Sequence, residues 1–156
     1  PYSIFLPGRH AGGGGSGDGA ARQNMLSFGT EMGGSGTVTP DCLEHCFNGV
    51  VRVLHDLGVL KKAMAPAAEK PTRMMHVPSS DHFTYSPDVG LFEPVVNLGD
   101  EIQNGDLAGR VHFPETPWQT PTDVHFNADG LVVCKRIPGR VERGDCLFHL
   151  GVDFEE

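Results

Sequence analysis

The clearest pattern in the chain is an apolar stripe at helical spacing within residues 40–57. The stripe predicts an amphipathic helix whose apolar side packs in a core. Thr39 is suited to cap the helix, Pro40 to open it, and Gly58 to follow its end. Apolar residues recur there at every third or fourth position: Leu43, Phe47, Val50, Val51, Leu54 and Leu57.

Short apolar runs separated by turn residues dominate the rest of the chain. Residues 2–6 and 25–32 each predict a short strand, and residues 63–72 have the composition of a linker. After the linker, the short and even spacing of such runs predicts a small all-β barrel or sandwich. The runs cover residues 73–77, 82–85, 91–96, 107–113, 124–126, 131–137 and 146–152.

An internal repeat lies within this second half, where residues 90–107 match residues 130–146. Each copy reads as a strand, a turn, the pattern V/I-x-x-G-D and a second strand. The Gly-Asp pair predicts a tight turn in which Gly takes a positive φ and Asp bonds nearby backbone. We therefore expect the two copies to pair as a pseudo-symmetric β unit.

Two observations test whether this repeat belongs to a carrier domain. The doubled Gly-Asp pattern resembles the biotinyl and lipoyl carrier domains, which present a lysine at a hairpin tip between the two halves. No lysine lies between the copies here, and Lys135 falls within a predicted strand. A covalent carrier role is therefore disfavoured. Trp118, which lies between two prolines, is predicted to anchor a loop.

Charge and composition narrow the function classes. The net charge is −8, divided as about +1 over residues 1–80 and −9 over residues 81–156, which argues against nucleic-acid binding. No apolar run approaches the roughly 18 residues that span a bilayer. Eleven of the 21 glycines lie in the first 36 residues, without the G-K-[ST] of a phosphate loop. The four cysteines lack zinc-like spacing, which predicts free thiols in a cytoplasmic protein.

Glu31 is the best candidate for chemistry. It lies between an apolar run and a run of glycines, and no other acid occurs between Asp18 and Asp41. A carboxylate in an apolar environment has a raised pKa and can act as a general acid or base. A strand-end glutamate in solvent explains the same pattern equally well, and the residues alone leave both interpretations open.

Three segments, taken in order, resemble a known family. They are F-G-T-E-M-G-G-S-G-T-V at 28–38, V-L-H-D-L-G-V-L at 53–60 and G-L-F-E-P-V-V-N-L-G-D-E-I-Q-N-G-D-L-A-G-R-V at 90–111. Together they resemble the C-terminal half of the succinylglutamate desuccinylase/aspartoacylase family, in particular its N-acyl-diaminobutyrate deacetylase-like members. These enzymes are zinc amidohydrolases related to zinc carboxypeptidases. The chain begins without Met, and we expect it to be a fragment.

The resemblance implies roles for four residues. Glu31 matches the glutamate that activates a zinc-bound water, and Arg22, nine residues earlier, matches an arginine that holds the substrate carboxylate. Arg9 and His10 are expected to border the same cleft. The family's zinc ligands, an H-x-x-E pair and a later His, precede the catalytic Glu. His10 is the only histidine before Glu31, so we expect the ligands upstream of this chain and no activity from the chain alone.

One H-x-x-E does occur, from His112 to Glu115, with His125 ten residues later. It lies downstream of Glu31, which is the wrong order for the family, and Pro114 prevents a regular helix there. An adventitious metal site is the most that this pattern indicates.

The resemblance implies an α+β chain in two parts. Residues 1–66 would be the C-terminal piece of a zinc-carboxypeptidase-like α/β/α domain. Residues 67–156 would form an all-β, barrel-sandwich-hybrid-like domain. The implied function is hydrolysis of a small N-acyl amino acid, with zinc in the full-length protein, no nucleic-acid or membrane partner, and homo-oligomerisation left open. The alternative is a non-catalytic β-barrel module for binding or assembly.

Overall fold

The computed structural model describes residues 2–5, 19–20, 22–27, 29, 33–34, 36–67 and 71–155. Within them the chain is mostly β, with one long helix. The chain divides into two compact units. One comprises Pro1–Ala11 and Thr72–Glu156 and is called the β unit below; the other comprises Gly12–Pro71 and contains the helix. The predicted boundary between residues 66 and 67 stays a prediction.

The helix α1 spans Pro40–Asp56, as the sequence predicts. The Thr39 side chain accepts a hydrogen bond from the Cys42 N–H at 3.3 Å, and Pro40 occupies the first turn, where no N–H is required. Gly58 follows the helix with a φ of 72°, in the left-handed region that ends many helices. The sequence signals at both ends are confirmed.

The predicted burial of the α1 stripe is wrong for the described structure. Val51 is buried, whereas Leu43, Phe47, Val50 and Leu57 are exposed; Phe47 retains 61% of its surface. Amphipathic spacing orients apolar side chains to one side of a helix, but a core also needs an opposing element. The described residues of the unit that holds α1 include no strand to cover the stripe.

The predicted strand at residues 25–32 is also wrong over the part described. Residues 25–27 and 29 have no regular structure, and Met25 and Leu26 are exposed. The apolar run there is too short to fold without a partner strand, and tertiary pairing decides such cases.

The described strands confirm all seven predicted β runs of the second half and add two shorter strands. The strand predicted at residues 2–6 is confirmed over residues 2–5, the part of it that the structure describes. The two additions, β5 and β9, are two residues long. The strands are β1 (Tyr2–Phe5), β2 (Arg73–His76), β3 (Phe83–Tyr85), β4 (Gly90–Pro94), β5 (Glu101–Ile102), β6 (Leu107–His112), β7 (Thr122–His125), β8 (Gly130–Lys135), β9 (Arg140–Val141) and β10 (Cys146–Asp153); a short 3-10 turn covers Ser80–His82.

Two sheets form the β unit. The larger has the order β1-β2-β10-β8-β5, with β3 also paired to β10, and the smaller has the order β7-β6-β4-β9. β1 runs parallel to β2, and every other pair is antiparallel. The core lies between the sheets around Phe148, whose ring centroid is 5.4 Å from that of Phe126 and 5.8 Å from that of Phe92.

The two repeat copies exchange their short strands, as the predicted pseudo-symmetric unit requires. β4 of the first copy pairs with β9 of the second, and β8 of the second pairs with β5 of the first. Equivalent hydrogen bonds support the exchange: the Phe92 N–H donates to the Gly139 carbonyl at 2.7 Å, and the Val132 N–H to the Asp100 carbonyl at 2.9 Å. Neither copy completes its own sheet without the other.

The Gly-Asp pairs form the predicted turns. Gly105 and Gly144 have φ values of 91° and 88°, which glycine adopts without the strain of a Cβ. The carboxylates of Asp106 and Asp145 accept backbone hydrogen bonds from Gln103 at 2.8 Å and Glu142 at 2.9 Å. A third turn of the same kind precedes β5, where Gly99 and Asp100 occupy these positions.

Candidate functional site

Three of the four predicted site residues, Glu31, Arg9 and His10, lie outside the described residues. Arg22 is described. It is exposed at the end of a short helical turn, where the Met25 N–H donates to the Ala20 carbonyl at 2.9 Å. Its guanidinium forms no hydrogen bond or ion pair to any residue that the structure describes.

A tight turn lies directly after the position of Glu31. Gly33 has a φ of 81°, and a Cβ on it would lie 3.2 Å from the Thr37 carbonyl oxygen. The Thr37 N–H and hydroxyl both donate to the Gly34 carbonyl, at 2.9 and 2.8 Å. The glycines of this segment therefore allow a sharp turn of the chain just before Thr39, the N-cap of α1.

The downstream H-x-x-E does not form a metal site. His112 Nε2 lies 2.7 Å from the Glu93 carboxylate, and His125 Nδ1 lies 2.9 Å from the Gly105 carbonyl oxygen. Both rings therefore bond to groups other than Glu115, and the spacing in sequence does not gather the three side chains. Across the part of the chain that the structure describes, no three His, Cys, Asp or Glu side chains are arranged to hold a metal ion.

The structure also shows the surroundings of a lysine, a tryptophan and four cysteines that the sequence analysis names. Lys135 lies within β8 and donates from Nζ to the Val96 carbonyl at 2.8 Å, which is not the position of a carrier lysine. The predicted anchoring of a loop by Trp118 is wrong, because the residue retains 82% of its surface. As predicted, none of the four cysteines, all of them described, belongs to a disulfide: Cys42, Cys46, Cys134 and Cys146.

Known proteins share this arrangement of elements. No family model matches the chain. The N-alpha-acetyl-L-2,4-diaminobutyric acid deacetylase of Halomonas elongata is 28% identical over 126 residues, which are 81% of this chain and 36% of that enzyme. A succinylglutamate desuccinylase/aspartoacylase from Rhodobacter sphaeroides is 33% identical, with a TM-score of 0.80 over 88% of this chain and 43% of that one. The ectoine utilization protein EutE (DoeB) from Ruegeria pomeroyi, in its product-bound structure, is 30% identical, with a TM-score of 0.87 over 97% of this chain and 45% of that one.

The chain resembles the succinylglutamate desuccinylase/aspartoacylase family. The similarity extends over nearly all of the chain, so it includes residues of both units. The chain spans less than half the length of the relatives it matches. Among the described helices, none combines the length and the apolar character needed to cross a membrane.

Sequence reasoning missed Arg140, which lies in the unpredicted strand β9. Arg140 lines one groove of the β unit together with Glu115 of the H-x-x-E pattern, in the loop after β6. Neither residue belongs to the family motifs quoted above. Only the pairing of β9 with β4 brings Arg140 to the groove, so the chain order alone carries no signal for it.

Proposed function

We propose that this chain is part of a deacylase that hydrolyses the amide bond of a small N-acyl amino acid. The observation that carries the proposal is its match to an ectoine utilization protein over 97% of the chain at a TM-score of 0.87. A deacetylase of N-acetyl-diaminobutyrate matches it in sequence as well. We further propose that residues 1–66 are the last part of a zinc-carboxypeptidase-like α/β/α domain, and that the protein works in the cytoplasm.

Glu31 is assigned the role of general base and then general acid. Amide hydrolysis needs a group that takes a proton from the attacking water and returns it to the departing amine, and a carboxylate can do both. The support for Glu31 is its place in the family-like motif at 28–38 and the tight turn at Gly33–Thr37 that follows it.

Arg22 is assigned to the substrate carboxylate. A guanidinium binds a carboxylate through two parallel hydrogen bonds, which fixes the direction of the ligand as well as its charge. The exposed Arg22 side chain has no partner among the described residues. Arg9 and His10 are proposed to border the cleft, on the strength of the family resemblance.

Zinc is proposed for the natural protein on the resemblance alone. The described residues do not fit a zinc ion, because they offer no group of three suitable donors. No step of the proposed chemistry is therefore assigned to a metal here. The residues that hold zinc would lie outside the described part of the chain.

A non-catalytic binding or assembly module is the second candidate. The observation in its favour is that the β unit has its own core, built from residues between Phe92 and Leu150. Under this alternative the β unit alone accounts for the function, and Glu31 has no role in it. The two candidates therefore differ in what they predict for Glu31.

The test replaces Glu31 in the full-length natural protein. Release of acetate from N-acetyl-diaminobutyrate and from a panel of N-acyl amino acids is measured for Glu31→Gln and Glu31→Asp. We expect Glu31→Gln to lower kcat by a factor of about 10² to 10⁴. The control is Glu44→Gln, an isosteric change at an exposed position of α1, and it should keep the full rate. Deacylation at the full rate by Glu31→Gln would contradict the proposal.

A further inference from the structure

The linker predicted at residues 63–72 is held against α1 rather than leaving it as a free chain. The unit that contains α1 extends to Pro71, so nearly all of the predicted linker belongs to that unit. The described residues between α1 and Pro66 form no helix or strand. A segment without regular structure stays beside a helix only through specific contacts, and the structure shows such contacts near both ends of residues 57–66.

The first contacts form where α1 ends. The Gly58 N–H donates to the His55 carbonyl and the Val59 N–H to the Leu54 carbonyl, both at 2.9 Å. With Gly58 at a φ of 72°, these two bonds form a Schellman motif. The Leu60 N–H also donates to the Leu54 carbonyl, at 3.0 Å. These bonds keep the chain beside the last turn of the helix after the helix has ended.

Arg52 supplies the second contact. Its Nε donates to the Pro66 carbonyl at 2.8 Å, and the Arg52 side chain is half-buried. A guanidinium is always charged, and a charged donor forms a stronger hydrogen bond than a neutral one. The other described cations of this unit, Arg22, Lys61 and Lys62, form no hydrogen bond or ion pair to a described residue. Arg52 is therefore distinguished by its contact with the linker.

The contact with Pro66 limits the reach of the chain that connects the two units. A chain extends by at most about 3.5 Å per residue, so the 16 residues from Asp56, the end of α1, to Thr72 reach about 56 Å. From Pro66 to Thr72 the six residues reach about 21 Å. The other connection between the described parts of the units, from Phe5 to Gly19, has 14 residues and reaches about 49 Å. The linker is the shorter connection only while Pro66 is held.

We propose that Arg52 is a clamp that holds the linker on α1 and thereby limits how far the β unit can move from the helix. The clamp depends on a donor at position 52, because its partner is a backbone carbonyl that every residue at position 66 would supply. It is independent of the proposed deacylase chemistry, so its test needs no substrate. In the proposed enzyme, the same clamp limits the distance between the β unit and the unit that contains Arg22 and Glu31.

The test compares Arg52→Met with Arg52→Lys in the full-length natural protein. Methionine has a similar helix propensity but no donor, so α1 is kept while the bond to Pro66 is lost. Lysine keeps a charged donor without the fixed geometry of the guanidinium. A lysine-specific protease cuts after Lys61 and Lys62 at a rate that follows the open fraction of the linker, and mass spectrometry assigns the cuts. We expect Arg52→Met to raise this rate about tenfold and Arg52→Lys to stay within about threefold of the natural protein.

A control and a second measurement separate the two parts of the proposal. Glu44→Met changes an exposed residue of the same helix and should leave the cleavage rate unchanged. Spin labels at Asp41 and Glu155 report the spread of distances between the units, and we expect Arg52→Met to widen it. An unchanged cleavage rate in Arg52→Met overturns the clamp. Faster cleavage with an unchanged spread of distances overturns its role in limiting the β unit. Circular dichroism verifies that each variant is folded.

Discussion

The carboxylate of Asp145 accepts a hydrogen bond from the Glu142 N–H at 2.9 Å, and the Asp145 N–H donates to the Glu142 carbonyl at 3.0 Å. Asp106 and Gln103 make the same reciprocal pair, at 2.8 and 3.0 Å. Each aspartate closes a turn through its own backbone N–H. Its carboxylate also accepts a hydrogen bond from the backbone N–H of the residue that starts the turn. The turns lead into β10 and β6, the longest strand of each sheet, so local polar contacts set the start of both.

We predict that loss of the turn aspartates destabilises the β unit unequally. Asp145→Ala should cost about 2 kcal/mol and Asp106→Ala about 1 kcal/mol of the free energy of unfolding. The difference arises because Asp145 also pairs with the partly buried Arg136 at 2.8 Å, whereas Asp106 is exposed. Urea unfolding of both variants measures it. Equal losses would show that the pair with Arg136 contributes nothing.

Gly90 is predicted to tolerate no side chain. A Cβ there would overlap the His112 carbonyl oxygen, and the β4–β6 pairing leaves neither backbone free to move. Gly90→Ala should cost about 3 kcal/mol of stability. Gly139→Ala is the matched control, because its Cβ would meet only the mobile tip of Leu91 at 3.2 Å, and we expect a change within about 0.5 kcal/mol. Similar melting temperatures for both variants would contradict the close approach.

The Arg73–Asp153 pair should make stability depend on acidic pH. Its N–O distances are 2.5 and 2.9 Å, and the hydrogen bond from Arg73 holds the pKa of the Asp153 carboxyl below its usual 3.8. A lowered folded-state pKa contributes stability above the usual value, and this contribution is lost as the pH falls through the lowered one. Asp153→Asn should therefore be less stable than the natural protein at pH 7 but equal to it below both pKa values. A difference that persists in strong acid would refute the linkage; Glu155→Gln, which removes an exposed carboxylate, is the control.

Arg22 is predicted to act on substrate affinity. In the natural protein, Arg22→Ala should raise KM for an N-acyl amino acid by roughly 10- to 100-fold, since a charge-assisted pair is lost. Arg22→Lys should recover part of the affinity, because it keeps the charge without the two-point contact. Lys62→Ala, an exposed change in the same unit, should leave KM unaltered. An unchanged KM in Arg22→Ala would show that Arg22 does not bind the substrate.

The 156-residue chain by itself is predicted to bind zinc weakly and to hydrolyse nothing. The described residues gather no three metal-binding side chains, and two or fewer ligands do not make a tight zinc site. Zinc content after gel filtration, and acetate release, measure this directly. One tightly bound zinc per chain together with turnover would contradict both the prediction and the expected place of the ligands.

Local signals predicted the parts of the fold that depend on a few neighbouring residues. Thr39, Pro40 and Gly58 were enough to predict where α1 begins and ends. The Gly-Asp pairs were enough to predict the turns before β6 and β10. The strands β5 and β9 escaped prediction because two residues carry no periodicity. The exposure of the α1 stripe escaped it too, because spacing says nothing about what covers a helix face. Of the candidate site, only the surroundings of Arg22 are described.

The sequence by itself determined the helix limits, the Gly-Asp turns and the repeat, because each depends on backbone preferences within a few residues. It also carried the family-like order of motifs that connects this chain to the deacylases. Only the tertiary structure decided which strands pair, with β4 joined to β9 and β8 to β5. Only the tertiary structure also showed which arginines of the β unit pair with a carboxylate, because ion pairs depend on distances between residues that are far apart in the chain.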